Sequence, residues 1–459
     1  MNNIPGLTLE NIFLVLLSYF LILLINKKTS SDSAVLLIGI LTFHHIVAYL
    51  YAFYLSMPQN EADPAGFVRL AQDCSDLGYC GYFGENLYAN YLAKVFALGQ
   101  SIYFVFLLNI LFFVISLYYF IGISEFLSLK GNRKIYIFLY SMWPSVVYFT
   151  TLNYREPFEL YLLIAGVYFG LTGSKSDSFL RMLASMFLLF LMGMFHIKGL
   201  IYLAPVIFLI IVSYSLPLSF LSLGKKFSLL IVMSVGVYFA QSMSTDFLYE
   251  VSRSKAEARV ENKISGNTES YAEKAKEITL SDSVLKFEKN KKIYLRNKNY
   301  PASDPSFIDI FMRKVTYYRA SLFWVTTPRT AFVSNISDRS IPAFIATYFL
   351  VYLEYLFSPF IFQVNSFLSL FAYAESVLRL FLFASTLMLL KRCPQVRILF
   401  IVYLAITAMW AIGVVSFGAS LRHHAQTNWI LVLLGLPIIS EYISRKFRLK
   451  NEKMNIISR

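Results

Sequence analysis

Charge is what this chain has least of. Only 15% of its 459 residues are Asp, Glu, Lys or Arg, and it holds three cysteines, five histidines and four tryptophans. A soluble globular chain carries roughly 25% charged residues and 45–50% apolar ones, whereas this one is 57% apolar. That balance excludes a soluble enzyme of two or three domains, which the length alone would allow. Three cysteines are too few for a secreted disulfide scaffold. The net charge of +14 therefore reads first as a topology signal, not as a nucleic-acid footprint. The amino-terminal stretch MNNIPGLTLENIFLVLLSYFLILLINKK lacks the basic leader and small-residue cleavage site of a signal peptide. No internal repeat or low-complexity tract stands out.

What is present is a series of apolar runs, each able to cross a hydrocarbon core of roughly 30 Å at about 1.5 Å per helical residue. After the first run, which ends at Lys27 and Lys28, others lie near 34–55, 102–122, 135–152, 158–173, 182–199, 201–222, 227–244, 365–390, 398–417 and 428–444. The expected fold is an all-α polytopic membrane protein with about eleven transmembrane helices. Basic clusters stand at Lys27/Lys28, Lys130/Arg133/Lys134, Lys175/Arg181, Lys225/Lys226, Lys391/Arg392/Arg397 and Arg445/Lys446/Arg448/Lys450. Counting spans between them puts every cluster on one side. The positive-inside rule makes that side cytoplasmic, with the N-terminus periplasmic and the C-terminus cytoplasmic, in a bacterial inner membrane. The run 341–357 (IPAFIATYFLVYLEYLF) breaks this parity if counted as a span, carries Glu354 and ends at Ser358-Pro359-Phe360. It reads as an interfacial helix on the outer side, the alternative being an ordinary span.

Three divisions follow. Residues 1–244 hold the N-terminal spans with a first periplasmic loop at 56–100. Residues 245–340 form a second periplasmic segment, rich in Lys and Glu. Residues 341–459 hold the interfacial helix, the C-terminal spans and a basic cytoplasmic tail. In the first loop Cys74 and Cys80 suit a small disulfide staple on an oxidising side, while Cys393 at a cytoplasmic end suits a free thiol.

Ionisable groups at a membrane edge cost several kcal/mol unless paired or hydrated, so they are functional candidates by default. Short outer loops carry Asn153-Tyr154-Arg155-Glu156-Pro157, His196-Ile197-Lys198-Gly199 and Arg422-His423-His424. Together with Asp63 these charges suit one outer cavity holding a carboxylate beside several cations. Such a set fits a sugar joined through phosphate to a lipid. Arg, Lys or His aimed at the phosphate oxygens stabilise the charge that builds as it departs. A carboxylate deprotonates the acceptor hydroxyl or holds a divalent metal. The plainer reading of Arg155 and Glu156 is a local ion pair closing a tight turn, and that of Asp63 a loop cap. His44 and His45 read as span residues bonded to neighbouring helices, and Glu375 and Arg379, four apart, as partners of one another.

The acidic motif Glu61-Ala62-Asp63 in the loop after an early span, followed by Phe67 and an amphipathic stretch, resembles the GT-C superfamily of membrane glycosyltransferases. Trp143-Pro144-Ser145 with Arg155-Glu156-Pro157 is similar to a Pro-Ser…Arg-Asp/Glu pattern of proteins from bacterial surface-polysaccharide clusters. Tyr355-Leu-Phe-Ser358-Pro359-Phe360 followed by Ala374-Glu375 resembles a feature of their C-terminal third. Leu421-Arg422-His423-His424 resembles their Arg-Tyr/His-Arg segment before the last span. The resemblance implies a GT-C-like helical fold and polyprenyl-(di)phosphate sugar donors used on the outer face. It also implies a catalytic role for Asp63 and Glu61. Arg155, Glu156, His196, Lys198, Arg422, His423 and His424 then bind substrate. The chain departs from the pattern in having no adjacent Asp-Glu pair in the first loop, and His424 where a second Arg is expected. No metal ligands are assigned, and a divalent metal (Mg or Mn) remains an open cofactor.

The expected function is a glycosyltransferase of surface polysaccharide assembly (O-antigen, capsule or exopolysaccharide). It acts either as a repeat-unit polymerase of the Wzy class or as a single-sugar transferase. Its partners are the lipid-linked donor, a glycan acceptor, membrane lipid and other polysaccharide-assembly proteins, with no nucleic acid. The alternative from another class is a flippase or transporter for lipid-linked oligosaccharide, although transporters often show internal repeats and charges at the bilayer midplane.

Overall fold

The computed structural model describes residues 8–29, 33–55, 64–76, 85–129, 132–195, 200–213, 223–237, 306–325, 332, 334–364, 367–393 and 396–457. Among them the regular elements are helices, and there is no β-strand. Four helices are long and apolar enough to cross a membrane: Leu9–Lys27, Ala34–Phe53, Ile102–Phe126 and Ser369–Lys391. Their large side chains face outward as often as inward. Phe13, Leu16 and Phe20 on the first, and Leu380, Phe381 and Met388 on the last, are all exposed, a distribution that suits contact with hydrocarbon better than with water.

The remaining apolar runs fold into shorter or interrupted helices. The stretch 135–152 is two helices, Arg133–Ser141 and Pro144–Thr150, separated at Met142-Trp143. Proline pushes the residue before it out of the helical region, and Trp143 is extended at φ −61°, ψ 127°. Phe179–Phe195 and Arg397–Gly413 have 17 residues each, about 26 Å of helix. Ile341–Phe357 coincides with the expected interfacial run. Ser340 caps it by accepting from the Ala343 amide, and it stops before Pro359.

The described residues of Met1–Val237, Leu378–Ile406 and His424–Arg459 form one compact unit. Its N-terminal part comprises α1 (Leu9–Thr29), α2 (Ala34–Phe53), α3 (Pro64–Asp76), α4 (Glu85–Ala97), α5 (Ile102–Phe126), α6 (Arg133–Ser141), α7 (Pro144–Thr150), α8 (Glu156–Ser176), α9 (Phe179–Phe195) and α10 (Leu200–Val212). A further helical segment covers 223–237. In this unit α1 packs on α2 and α5, α5 on α8, α8 on α9, and α9 on α10. The two small helices α3 and α4 pack on one another through an apolar stripe that includes Phe67, Ala71 and Cys74. Cys74 is disulfide-bonded and Cys393 is free. With three cysteines in the chain, the partner of Cys74 is Cys80, which lies outside the described residues.

Helix α8 is the centre of this packing, and small residues let its neighbours approach. A Cβ on Gly170 would lie 2.6 Å from Ile211 Cγ2 and 2.8 Å from Ser185 Oγ, and one on Gly173 would lie 2.9 Å from the Met182 amide nitrogen. Interhelical hydrogen bonds accompany the close approach, as expected where side chains are short. Ser185 donates to the Gly166 carbonyl at 2.7 Å and Ser174 to the Val212 carbonyl at 2.8 Å. The helix ends at Asp177, which adopts the left-handed conformation (φ 49°) that Asp tolerates better than most residues.

The histidine pair of α2 behaves as a packing device. His44 is fully buried, contacts the Ser141 carbonyl at 3.0 Å and the Thr150 hydroxyl at 2.9 Å, and stacks on Phe113. His45 meets Ser18 of α1 at 2.9 Å. Both thus bond to neighbouring helices, as their place in a span requires. Arg379 has the side chain of Asn428 within reach of its Nε, at 3.4 Å.

The described residues of Tyr238–Val377 and Thr407–His423 form a second compact unit. Its core includes Val315 of the helix Phe307–Val325, Val351 of Ile341–Phe357, and Ile336 between them, with Phe344, Tyr348 and Ile412 against them. Arg319 is fully buried here. Its guanidinium donates to the carbonyls of Ala411 (2.8 Å), Val414 (2.8 Å) and Ser334 (3.3 Å), closing the end of the helix Arg397–Gly413. Glu354 accepts from the Ser334 amide at 2.7 Å, so the one acidic residue of the interfacial run is built into this unit.

Candidate functional site

In the first unit, the start of α8 gathers polar groups that the surrounding apolar sequence makes conspicuous. Arg155 is the residue before the helix, and Pro157 occupies the first turn, where a missing N–H costs nothing. Arg155, Glu156 and Glu159 are 6%, 2% and 1% exposed. The Arg155 guanidinium lies 3.2 Å from Glu159 Oε1 and donates to the Phe195 carbonyl at 3.1 Å. Phe195 is the last residue of α9, whose terminal carbonyls lack partners within their own helix. One guanidinium therefore ties the beginning of α8 to the end of α9. The carboxylate one turn along, not the adjacent Glu156, is the one in this ion pair.

The first-loop helices lie over the same place. Phe67 of α3 sits 5.7 Å from the Arg155 guanidinium carbon and meets the Tyr88 ring edge-on at 5.0 Å. Tyr88 of α4 donates to Asn153 Oδ1 at 2.8 Å. Burial first, then the neighbouring Tyr91 and Glu156, push the Tyr88 phenol well above its usual value, so it remains a neutral donor. Asn109 of α5 donates to the carbonyls of Leu152 (2.6 Å) and Tyr154 (3.0 Å) and fixes the turn from the other side.

The chain closes this site from its far end. The amide nitrogen of Gln426 donates to Glu159 Oε2 across 267 positions of sequence. Beside this bond lies a cleft of about 200 Å³ whose walls include Phe149, Thr150, Glu156, Leu160, Ala425 and Gln426. Thr150 is the residue whose hydroxyl contacts His44, so the cleft floor is braced from α2.

Set against the sequence, Arg155 and Glu156 fall together in this site. His424 is buried in the same unit, where its carbonyl accepts from the Thr427 amide at 2.9 Å, and the contact to α8 is made by Gln426, two residues further on. Arg422 and His423 belong to the second unit, in which His423 stacks on Trp410 with ring centroids 3.6 Å apart. Asp63, Glu61, His196 and Lys198 lie outside the described residues. Two of these are next to groups that are described: Asp63 precedes Phe67 by four residues, and His196 follows Phe195 directly. Among the described residues no group of three or more His, Cys, Asp and Glu side chains is arranged to hold a metal ion, and no chemical step below is routed through one.

Glu159, Gln426, Tyr88 and Asn109 are site residues that the loop-centred reading passed over. Glu159 carried a usable signal, being an acid one turn inside an otherwise apolar run. Compared with protein-family models, curated proteins and solved structures, the chain matches none of them.

Proposed function

We propose that the chain is a multi-pass glycosyltransferase of a bacterial inner membrane. It acts at the periplasmic face on polyprenyl-(di)phosphate-linked sugars in surface polysaccharide assembly, by repeat-unit polymerisation in preference to single-sugar transfer. The observation that carries this reading is the gathering of a guanidinium and two carboxylates, all buried, at the N-terminal end of an apolar helix. In transfer from such a donor, the acceptor oxygen bonds to the anomeric carbon as the bond from that carbon to the phosphate oxygen breaks. The departing phosphate needs donors where its charge develops, and an Arg fork beside a helix N-terminus supplies them. The acceptor hydroxyl needs a base, and a carboxylate takes its proton. By the family resemblance that base is Asp63, and the position of Phe67 against Arg155 supports it.

The topology proposed with this function has about eleven spans, the N-terminus periplasmic and the C-terminus cytoplasmic. The disulfide at Cys74 supports it, since such bonds persist on the oxidising side of a bacterial membrane.

The deciding experiment is the surface-glycan size profile of a deletion strain carrying wild type, Arg155→Gln or Asp63→Ala. Chains shortened to a single repeat unit in the variants support polymerisation. A full ladder lacking one sugar by mass supports single-sugar transfer. Complete loss of surface glycan, with lipid-linked units trapped inside, assigns the chain to the flippases and sinks the transferase reading.

A further inference from the structure

Gln426 is 2% exposed, and its side chain borders the cleft beside α8. A side-chain amide presents a donor nitrogen and an acceptor oxygen, and only its partners decide which way round it lies. Here the partner is a carboxylate, which as an anion only accepts. The Gln426 nitrogen must therefore face Glu159, and its Oε1 is the atom left for the cleft. Glu159 is not free to turn, because its other oxygen is engaged by Arg155, and Arg155 is engaged by the Phe195 carbonyl. Three successive charge-assisted or backbone-anchored contacts thus fix the face of one amide, a degree of preorganisation that packing alone rarely supplies.

The cleft offers the Gln426 oxygen and the Glu156 carboxylate as acceptors, with the Phe149 ring as an apolar wall. Two acceptors and an aromatic face suit a neutral ligand that donates hydrogen bonds from hydroxyls. At about 200 Å³ the space is below the roughly 300–1,000 Å³ of ordinary small-molecule pockets, which limits the occupant to a single ring. We infer that Gln426 is a sugar-contacting residue. Its Oε1 accepts from a hydroxyl of one sugar ring seated in this cleft, and Glu159 is the positioning residue that sets the amide's orientation. The inference rests on the glycosyltransferase reading and names the group by which that site reads its sugar.

The test uses the full chain in detergent, with thermal unfolding followed in the presence of methyl glycosides of glucose, galactose, mannose and N-acetylglucosamine. The same sugars on a short prenyl phosphate form a second arm. The variants are Gln426→Leu and the swap Glu159→Gln with Gln426→Glu. In the swap the amide at position 159 donates, while the carboxylate at position 426 supplies both the negative charge and the acceptor for the cleft. The total charge is unchanged. At least one sugar should raise the wild-type midpoint and that of the swap by several degrees, and leave Gln426→Leu unmoved. Equal shifts in wild type and Gln426→Leu, or no shift with any sugar in either arm, overturn the inference. A shift seen only in the prenyl-phosphate arm and retained in Gln426→Leu assigns recognition to the phosphate and also overturns it. In cells the two readings separate. If wild type restores the glycan ladder and Gln426→Leu restores it equally, the sugar contact falls while the transferase stands. If deletion leaves the glycan unchanged, the transferase falls, and the binding arm still judges the cleft.

Discussion

Arg155 and Arg319 face the same difficulty, a guanidinium removed from water, and each meets it at the end of a helix. Arg319 is satisfied by backbone carbonyls of residues 411, 414 and 334. Arg155 uses one backbone carbonyl and one side-chain carboxylate, and that carboxylate in turn holds an amide beside a cleft. Carbonyls of a packed backbone do not move, so a cation bound to several of them serves the fold. Side-chain partners can exchange, so a cation bound to a carboxylate can meet a second anion. The comparison separates a structural arginine from a functional candidate without reference to sequence position.

Removing Arg319 is the strongest test of the structural half. Arg319→Met strands several carbonyls and leaves Glu354 without its nearby cation, which should cost about 3–5 kcal/mol in detergent-unfolding midpoints. Arg319→Lys should recover only part of this, since one ammonium cannot straddle carbonyls three residues apart. An unchanged midpoint in Arg319→Met would remove the distinction drawn above. Next in size is Gly173→Ala, whose new methyl meets the Met182 backbone and should cost about 1–3 kcal/mol. Because it acts on the scaffold of α8, it should lower stability and shorten the glycan ladder together.

Arg155→Lys sharpens the functional half. It keeps a cation for Glu159 but loses the fork that also reaches Phe195, so stability should fall by about 1–2 kcal/mol while the glycan ladder collapses. A full ladder in a strain with normal protein level would show that the guanidinium does not meet the phosphate. The smallest effect belongs to Arg133→Ala. Its ion pair with Glu125 at 3.2 Å is largely in solvent, with side chains 43% and 29% exposed, and such pairs are worth about 0–1 kcal/mol. A loss beyond that range would mean that surface pairs carry more of this fold than the buried arginines suggest.

Much of this was legible from hydropathy. The runs ending at Lys27, starting at Ala34 and Ile102, and covering 365–390 are all long apolar helices, and 341–357 coincides with a helix to the residue. Hydropathy averages over a window, so it could not see Pro144 divide 135–152, nor that the helix starting at Leu200 stops at Val212. The site was legible at Arg155 and Glu156, where charge meets the edge of an apolar run. Gln426 was not, because an uncharged amide two residues past a histidine pair gains meaning only when the fold brings Glu159 to it. The loop-centred reading also joined Arg422, His423 and His424 as one group. The structure assigns the first two to a different unit from the third.

The long separation between Glu159 and Gln426 has a consequence for how the chain is made. Helix α8 leaves the ribosome long before the segment that completes its polar end. At about 5–20 residues per second, synthesis of the intervening 267 positions takes roughly 13–53 s. For that interval Glu159 travels with only nearby companions, and Arg155, four residues upstream, is the one already present. The pair can enter the bilayer as a near-neutral couple, whereas the carboxylate alone would resist insertion. The same contact that orients an amide in the finished protein thus acts earlier as an escort. A chain cut short before residue 426 would insert α8 normally yet never complete the cleft.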